Sequence, residues 1–278
     1  MSYINGRTCV NIACGSSYVE GWHNLDYSPA SPAVIKANLL GRLPLDDGAA
    51  DVLYSSHFLE HIPRKRVKGF LAECFRVLKP GGQIRLALPD LEELCREYLR
   101  QRDAGDHAKA DFVVLEMLDQ CVRTEPGGEL GRHIENLSHG GAVEIKDYVV
   151  ARTGEFIPDV PSGAPVSGCS RIELALRQPA QMRGRLERLY CRVLTSLLPS
   201  AFLEQNVSFA AMGERHAWVY DFHALAMLLE QAGFASVVKM EFDTTGIEGF
   251  PLHPLDVTGA NRPRKGLGSM YVEARKPR

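Results

Sequence analysis

Over the first ninety residues, short apolar runs alternate with turns in a way that predicts strands. Val10-Asn11-Ile12-Ala13-Cys14-Gly15 reads as a buried strand running into a glycine turn, and Asn24-Leu25-Asp26 as a second strand closing on an acid. The chain resumes at Val34, and Asp51-Val52-Leu53-Tyr54-Ser55-Ser56 is another strand, running into His57-Phe58-Leu59-Glu60-His61. A helix follows. Pro63 suits its first turn, Val67, Phe70, Leu71, Phe75 and Leu78 share one face, and Lys79-Pro80-Gly81-Gly82 stops it at Gly81. Gln83 to Leu88 is a strand ending at Pro89-Asp90. The pattern returns near residue 220, where Asp221 is an N-cap, Phe222, Leu225, Leu228, Leu229 and Ala232 form a stripe, and Gly233 is a stop. Ala235 to Phe242 and Gly268 to Ala274 read as the last strands.

Two crossovers are too short for helices. Residues 15–24 leave little room, and the prolines in Tyr27-Ser28-Pro29-Ala30-Ser31-Pro32 break one. One half of the sheet therefore lacks helical cover, and the insertion or a second subunit, giving a homodimer, is expected to bury that face. The Pro/Gly-rich stretch 244–266 is long enough to line a pocket.

Residues 91–215 interrupt the pattern and look largely helical. Between Phe112 and Arg123, the residues Glu116, Asp119, Gln120 and Arg123 make one polar stripe at helical spacing, either a solvated face or the wall of a substrate pocket. Gly127-Gly128 and Ser138-His139-Gly140-Gly141 are loop signals. The arginine-rich segment 171–198 reads as a solvated face, with a membrane-surface or phosphate-facing helix as its alternative.

Composition narrows the classes. The chain has 278 residues, 45% of them hydrophobic, enough for a substantial core. A formal net charge of -2 argues against broad electrostatic binding to nucleic acid. Seven cysteines, with no C-x-x-C pair, suggest neither a disulfide framework nor a zinc ribbon and fit a reducing cytoplasm. Neither a charged-then-apolar leader nor a membrane-spanning run is found.

Together these segments point to a nucleotide-type cofactor at the carboxyl ends of a parallel sheet. The series Asn11-Ile12-Ala13-Cys14-Gly15, Gly21-Trp22-His23-Asn24-Leu25-Asp26, Leu43-Pro44-Leu45, Phe58-Leu59-Glu60-His61 and Arg76-Val77-Leu78-Lys79-Pro80-Gly81-Gly82, with Leu228-Leu229-Glu230-Gln231-Ala232-Gly233-Phe234, resembles the class I S-adenosylmethionine-dependent methyltransferases. The likeness is to the bacterial group with a Leu-Glu-His signature, methyltransferase type 11, and covers about half the chain. It departs from that pattern at Cys14-Gly15-Ser16-Ser17, where further glycines are usual, and at Asn38, where an acid is usual.

The resemblance implies an α/β fold: a Rossmann-like, mostly parallel seven-stranded sheet with a largely helical insertion between the fifth strand and the last core helix. Residues 1–90 and 216–278 would form the cofactor-binding domain, and residues 91–215 a lid or substrate element. S-adenosyl-L-methionine is the implied cofactor, held by Ala13, Cys14, Gly15, Asp26, Asn38, Leu39, Ser56 and His57. Asp26 would accept both ribose hydroxyls, and Asn38 and Leu39 would flank the adenine. Methyl transfer to a hydroxyl needs alignment, exclusion of water and a proton acceptor, for which His57, His61, His139 and His216 are candidates. Asp119, Gln120, Arg123 and Trp218 are the candidate substrate contacts. The expected reaction is O-methylation of a small molecule or carbohydrate, with a non-catalytic scaffold of the same fold as the rival. Read as a string, His57 to His61 is H-x-x-E-H, but its setting at a strand end disfavours a zinc protease. A metal-dependent methyltransferase using His57, Glu60 and His61 stays a third reading, with no metal ligand assigned.

Overall fold

The computed structural model describes residues 6–29, 31–158, 190, 194, 198, 199, 202, 207, 208, 210 and 213–278. Seven strands, β1 (Cys9–Ile12), β2 (His23–Asp26), β3 (Val34–Lys36), β4 (Ala50–Ser56), β5 (Leu78–Pro89), β6 (Ala235–Met240) and β7 (Ser269–Arg275), form one sheet in the order β3-β2-β1-β4-β5-β7-β6. The first five run parallel, and β7 is antiparallel to both neighbours. Among the described residues the helices are α1 (Arg64–Val77), α2 (Leu91–Asp103), α3 (His107–Val122), α4 (Gly128–Ser138), α5 (Lys146–Thr153), α6 (Phe222–Gln231) and the short α7 (Leu252–Leu255). None of them is long and apolar enough to cross a membrane. The arginine-rich segment 171–198 lies almost wholly outside the described residues.

The period-two alternation of the strands builds two cores. Val10, Ile12, Leu25, Leu53, Leu86 and Val272 face α1 and α6, packing against Val67, Phe70, Leu71, Leu225 and Leu229. Asp221 caps α6 as its sequence predicts, accepting a hydrogen bond from the Ala224 amide at 2.7 Å. The ends of α1 differ from expectation. Pro63 is its N-cap, and the helix stops at Val77 because Leu78 is already extended, paired in the sheet with Ala50. Gly81 and Gly82 therefore belong to a bend within β5, where a side chain on Gly82 would meet the Lys79 carbonyl at 2.9 Å.

The first two crossovers carry no helix among the described residues. Buried side-chain amides organise the β1–β2 turn instead. Asn11 Nδ2 donates to the Ser17 carbonyl at 3.0 Å, while Asn24 donates to the Val19 carbonyl at 2.8 Å and accepts from its amide at 3.2 Å.

Among the described residues, the insertion does not bury the face of the sheet that the short crossovers leave without helices. The β6–β7 excursion covers it. Ile247, Phe250 and Leu255 pack on Cys9, Trp22, Val52 and Tyr54, with the Phe250 ring 6.0 Å from Trp22 and 5.5 Å from Tyr54.

A buried ion network holds the excursion down. Arg85 points from the middle of β5 into this face and is 0% exposed. Its Nε donates to Asp256 at 2.7 Å and its Nη1 to Glu273 at 2.6 Å and to the Thr244 carbonyl at 3.0 Å. Tyr54 donates to the other oxygen of Asp256 at 2.7 Å, and the Gly246 amide to the other oxygen of Glu273 at 2.9 Å. Burial pushes the Asp256 carboxyl upward, and Arg85 opposes that shift. One guanidinium serves both buried carboxylates, so losing the arginine alone is what costs most. Arg85→Leu is expected to destabilise the protein by about 3–5 kcal/mol, because two buried carboxylates lose their cation. Urea unfolding measures this, and the triple variant with Asp256→Asn and Glu273→Gln should recover part of the loss.

Candidate active site

The carboxyl ends of β1 and β2 meet at a tight turn. Ala13 and Gly15 both have positive φ, 57° and 53°, and a side chain built on Gly15 would meet nothing within 4 Å. The turn thus faces open space with its backbone presented. Asp26 fixes its shape: one carboxylate oxygen accepts the Gly15 amide at 2.9 Å, the other the Ser28 amide at 2.8 Å. Cys14 is buried beside it, its thiol pushed up to about 11 by burial and by Asp26. Asn38 is exposed, with its Oδ1 turned back onto the Leu40 amide at 3.2 Å, and Leu39 is buried beneath it. These residues fit an adenosyl cofactor. The turn is open, and each Asp26 oxygen keeps a lone pair after bonding one amide.

The end of β4 carries the titratable groups. His57 has φ 51°, and its amide is tied to the Ala87 carbonyl of β5 at 2.8 Å. Its Nε2 lies 3.0 Å from Ser269 Oγ, which itself donates to the Lys265 carbonyl at 3.0 Å. The hydroxyl proton being used, His57 Nε2–H is the donor, and Nδ1 turns a lone pair toward Glu60 Oε1, 3.3 Å away. Glu60 is 1% exposed, neither of its oxygens makes a hydrogen bond, and burial pushes its carboxyl up to about 8. His61 donates from Nδ1 to the Arg215 carbonyl at 2.8 Å, leaving its Nε2 with the lone pair.

His216 comes from far along the chain. The Glu60 carbonyl accepts the amides of Ala217 (2.7 Å) and Trp218 (3.1 Å), and the His216 amide donates to the Gln120 carbonyl at 2.8 Å. These bonds set the His216 ring edge-on to His61, 4.9 Å between centroids. Burial lowers all three histidines, His57 well below the usual range and His216 to about 3, so each is a neutral imidazole at physiological pH.

A cavity of about 560 Å³ opens from His57, His61 and His216 toward the helices α3, α4 and α5. Glu116, Gln120 and Arg123 of the polar stripe line it, so the stripe is a pocket wall and not a solvated face. Asp119 of that stripe serves structure. It is buried, pairs with Arg123 and accepts the Glu129 amide at 2.7 Å. Trp218 lies outside the lining, 42% exposed, with the Arg64 guanidinium over its ring at 4.4 Å. His139 ends α4 away from the cavity, bonded to the Glu135 carbonyl. Ser56 sits at the end of β4 with its hydroxyl buried and unpaired. The excursion contributes Lys265, and β7 contributes Ser269. Neither residue stood out in the sequence, since a lysine in a Pro-Arg-Lys-Gly turn and a serine opening a strand are ordinary there.

Residues 12–86 match the family model described as a methyltransferase domain. Over 102 residues the chain is 30% identical to a protein of Mycolicibacterium smegmatis named "Probable S-adenosylmethionine-dependent methyltransferase". That stretch is 31% of this chain and 39% of the relative, so the match spans well under half of either. Among solved structures, an S-adenosylmethionine-dependent methyltransferase from Archaeoglobus fulgidus is 14% identical, with 97% of this chain and 86% of that one covered and a TM-score of 0.40. One from Mesorhizobium loti is 15% identical, with 98% and 91% covered and a TM-score of 0.38. Residues 12–86 thus match a methyltransferase domain, and the curated relative that part of the chain resembles is named for its dependence on S-adenosylmethionine.

The cavity wall formed by the excursion depends on one close approach. Gly266 has φ 71°, and a side chain there would lie 1.9 Å from the Arg152 carbonyl of α5. Gly266→Ala is expected to cost about 2 kcal/mol or more from the left-handed backbone and the forced separation. Gly259→Ala, whose side chain meets only His253 at 3.9 Å, should leave the melting temperature unchanged.

Proposed function

We propose that the protein is an S-adenosylmethionine-dependent methyltransferase that transfers a methyl group to an oxygen of a small molecule or carbohydrate. One observation carries the reading: the cavity begins at His57, directly after β4, on the side of the sheet ends where Gly15 and Asp26 form the open turn. In this reading the turn at Ala13, Cys14 and Gly15 carries the cofactor's amino-acid and ribose portions. Asp26 accepts ribose hydroxyls with its free lone pairs, Asn38 and Leu39 border the adenine, and Ser56 and His57 meet the methionine end. When bound, the cofactor supplies an electrophilic methyl on a sulfonium.

The chain's own groups receive the acceptor. Helices α3 to α5 wall the cavity against water, which raises the strength of every polar contact inside it. Arg123 Nε is buried in this wall without a partner, a donor left for a polar acceptor. The neutral imidazoles of His61 and His216 stand where an acceptor hydroxyl would surrender its proton. A cavity of this size and polarity suits a small polar acceptor rather than a polymer. The free state of Cys9, Cys14, Cys74, Cys95 and Cys121 supports a reducing, cytoplasmic setting.

Calorimetric titration with S-adenosylhomocysteine tests the cofactor half. Wild type should bind, and Asp26→Ala, shown folded by circular dichroism, should lose about 1.5–3 kcal/mol, roughly 10- to 100-fold in affinity. No binding by the folded wild type would overturn the enzyme reading in favour of a scaffold.

A further inference from the structure

We propose that Glu60, His61 and His216 form a binding site for one divalent transition-metal ion at the floor of the cavity. One ligand atom from each, a carboxylate oxygen and two imidazole nitrogens, lies within 4.8 Å of the others. The inference rests on the methyltransferase reading only for what the ion would do, not for whether it binds.

Two independent features of the group point to a cation. The first is the orphaned carboxyl. Glu60 is buried at 1% exposure and neither oxygen has a hydrogen-bond partner, an arrangement that costs free energy unless something positive or donating completes it. No lysine or arginine pairs with it among the described residues. Lys265 acts on it only through space, without an ion pair, and His57 Nδ1 at 3.3 Å presents a lone pair because its Nε2–H is committed to Ser269.

The second feature is the orientation of His61. It donates its Nδ1–H to the Arg215 carbonyl at 2.8 Å, which leaves Nε2 unprotonated and available as a ligand. A backbone carbonyl holding the far nitrogen is the usual support of a metal-bound imidazole. His216 is placed as firmly, since the amides on either side of its own peptide are bound to Gln120 and Glu60 carbonyls.

The donor set selects the metal class. Two imidazoles and one carboxylate suit zinc, iron(II), manganese or cobalt rather than calcium or magnesium, which prefer all-oxygen shells. Three protein ligands leave coordination positions open, and His61 and His216 both line the cavity, so the open positions face the acceptor. An ion there would hold an acceptor oxygen and lower its pKa, and the imidazoles would act through the ion. Acceptors with two adjacent oxygens would profit most. The set differs from the His57, Glu60 and His61 trio suggested by the sequence: His216 takes the place of His57.

Titration of the full chain with cobalt(II), read by visible ligand-field absorption, tests the site. Wild type should show bands saturating at one equivalent, and zinc should displace them. Glu60→Gln keeps the shape of the buried side chain, and His216→Ala leaves the backbone bonds of residues 216–218 in place; each should weaken cobalt binding by about 10- to 100-fold or more. Asp26→Ala should bind cobalt as wild type does while losing S-adenosylhomocysteine, which separates failure of this site from failure of the cofactor site. A folded wild type without saturating bands would overturn the proposal, as would unchanged binding by both Glu60→Gln and His216→Ala.

Discussion

The charge network around Arg85 is the constraint on which the rest of the molecule depends. A guanidinium with no exposure, shared by Asp256 and Glu273, fastens residues 241–256 across a sheet face that the short crossovers leave without helices. Such a network adds little net stability over a well-packed apolar patch, because each charge gives up its hydration. What it adds is position. From Asp256 the chain runs on to Lys265 and Gly266, which press against α5 and close the cavity, and then to Ser269, which orients the His57 ring. A displaced excursion would therefore open the cavity and release the histidine at the end of β4 together.

The same economy shapes the carboxyl end of the parallel strands. Where helices are missing between the first strands, Asn11 and Asn24 satisfy the turn from inside, and Asp26 holds the Gly15 amide. The result is an open backbone turn, suited to a ligand that needs close approach. A few residues away the polarity is of another kind. Glu60, His61 and His216 are withdrawn from water, with the carboxyl pushed up to about 8 and His216 down to about 3. Burial drives every one of these groups toward its neutral form, so the cavity floor offers lone pairs and one undischarged carboxyl rather than fixed charges.

Much of this was legible from local pattern. The strand alternation, the Asp221 cap and the acid closing β2 are read from neighbours a few residues apart, and they stand as expected. The polar stripe on α3 was visible as a stripe, but whether it faced water or a cavity is decided by α4 and α5, which no period within α3 can reveal. Arg85 sits at an alternating position of a strand and reads as a solvent-facing residue; its partner Asp256 is 171 residues away. The amides of Ala217 and Trp218, which bring His216 beside Glu60, bond the Glu60 carbonyl across a similar gap. Contacts of that range leave no local signature, and that is why the part of the sheet's cover supplied by the β6–β7 excursion was not read from the sequence.

The central proposal is that the open turn and the cavity serve one ligand-binding site, meeting at His57. Hydrogen–deuterium exchange of the full chain with and without S-adenosylhomocysteine tests it most directly. Protection is expected in residues 13–17, 26–28, 38–41 and 56–61, with little change in the helices α1 and α6 on the far side of the sheet. Protection absent from the 13–17 turn, or confined to segments that do not touch His57, would contradict it.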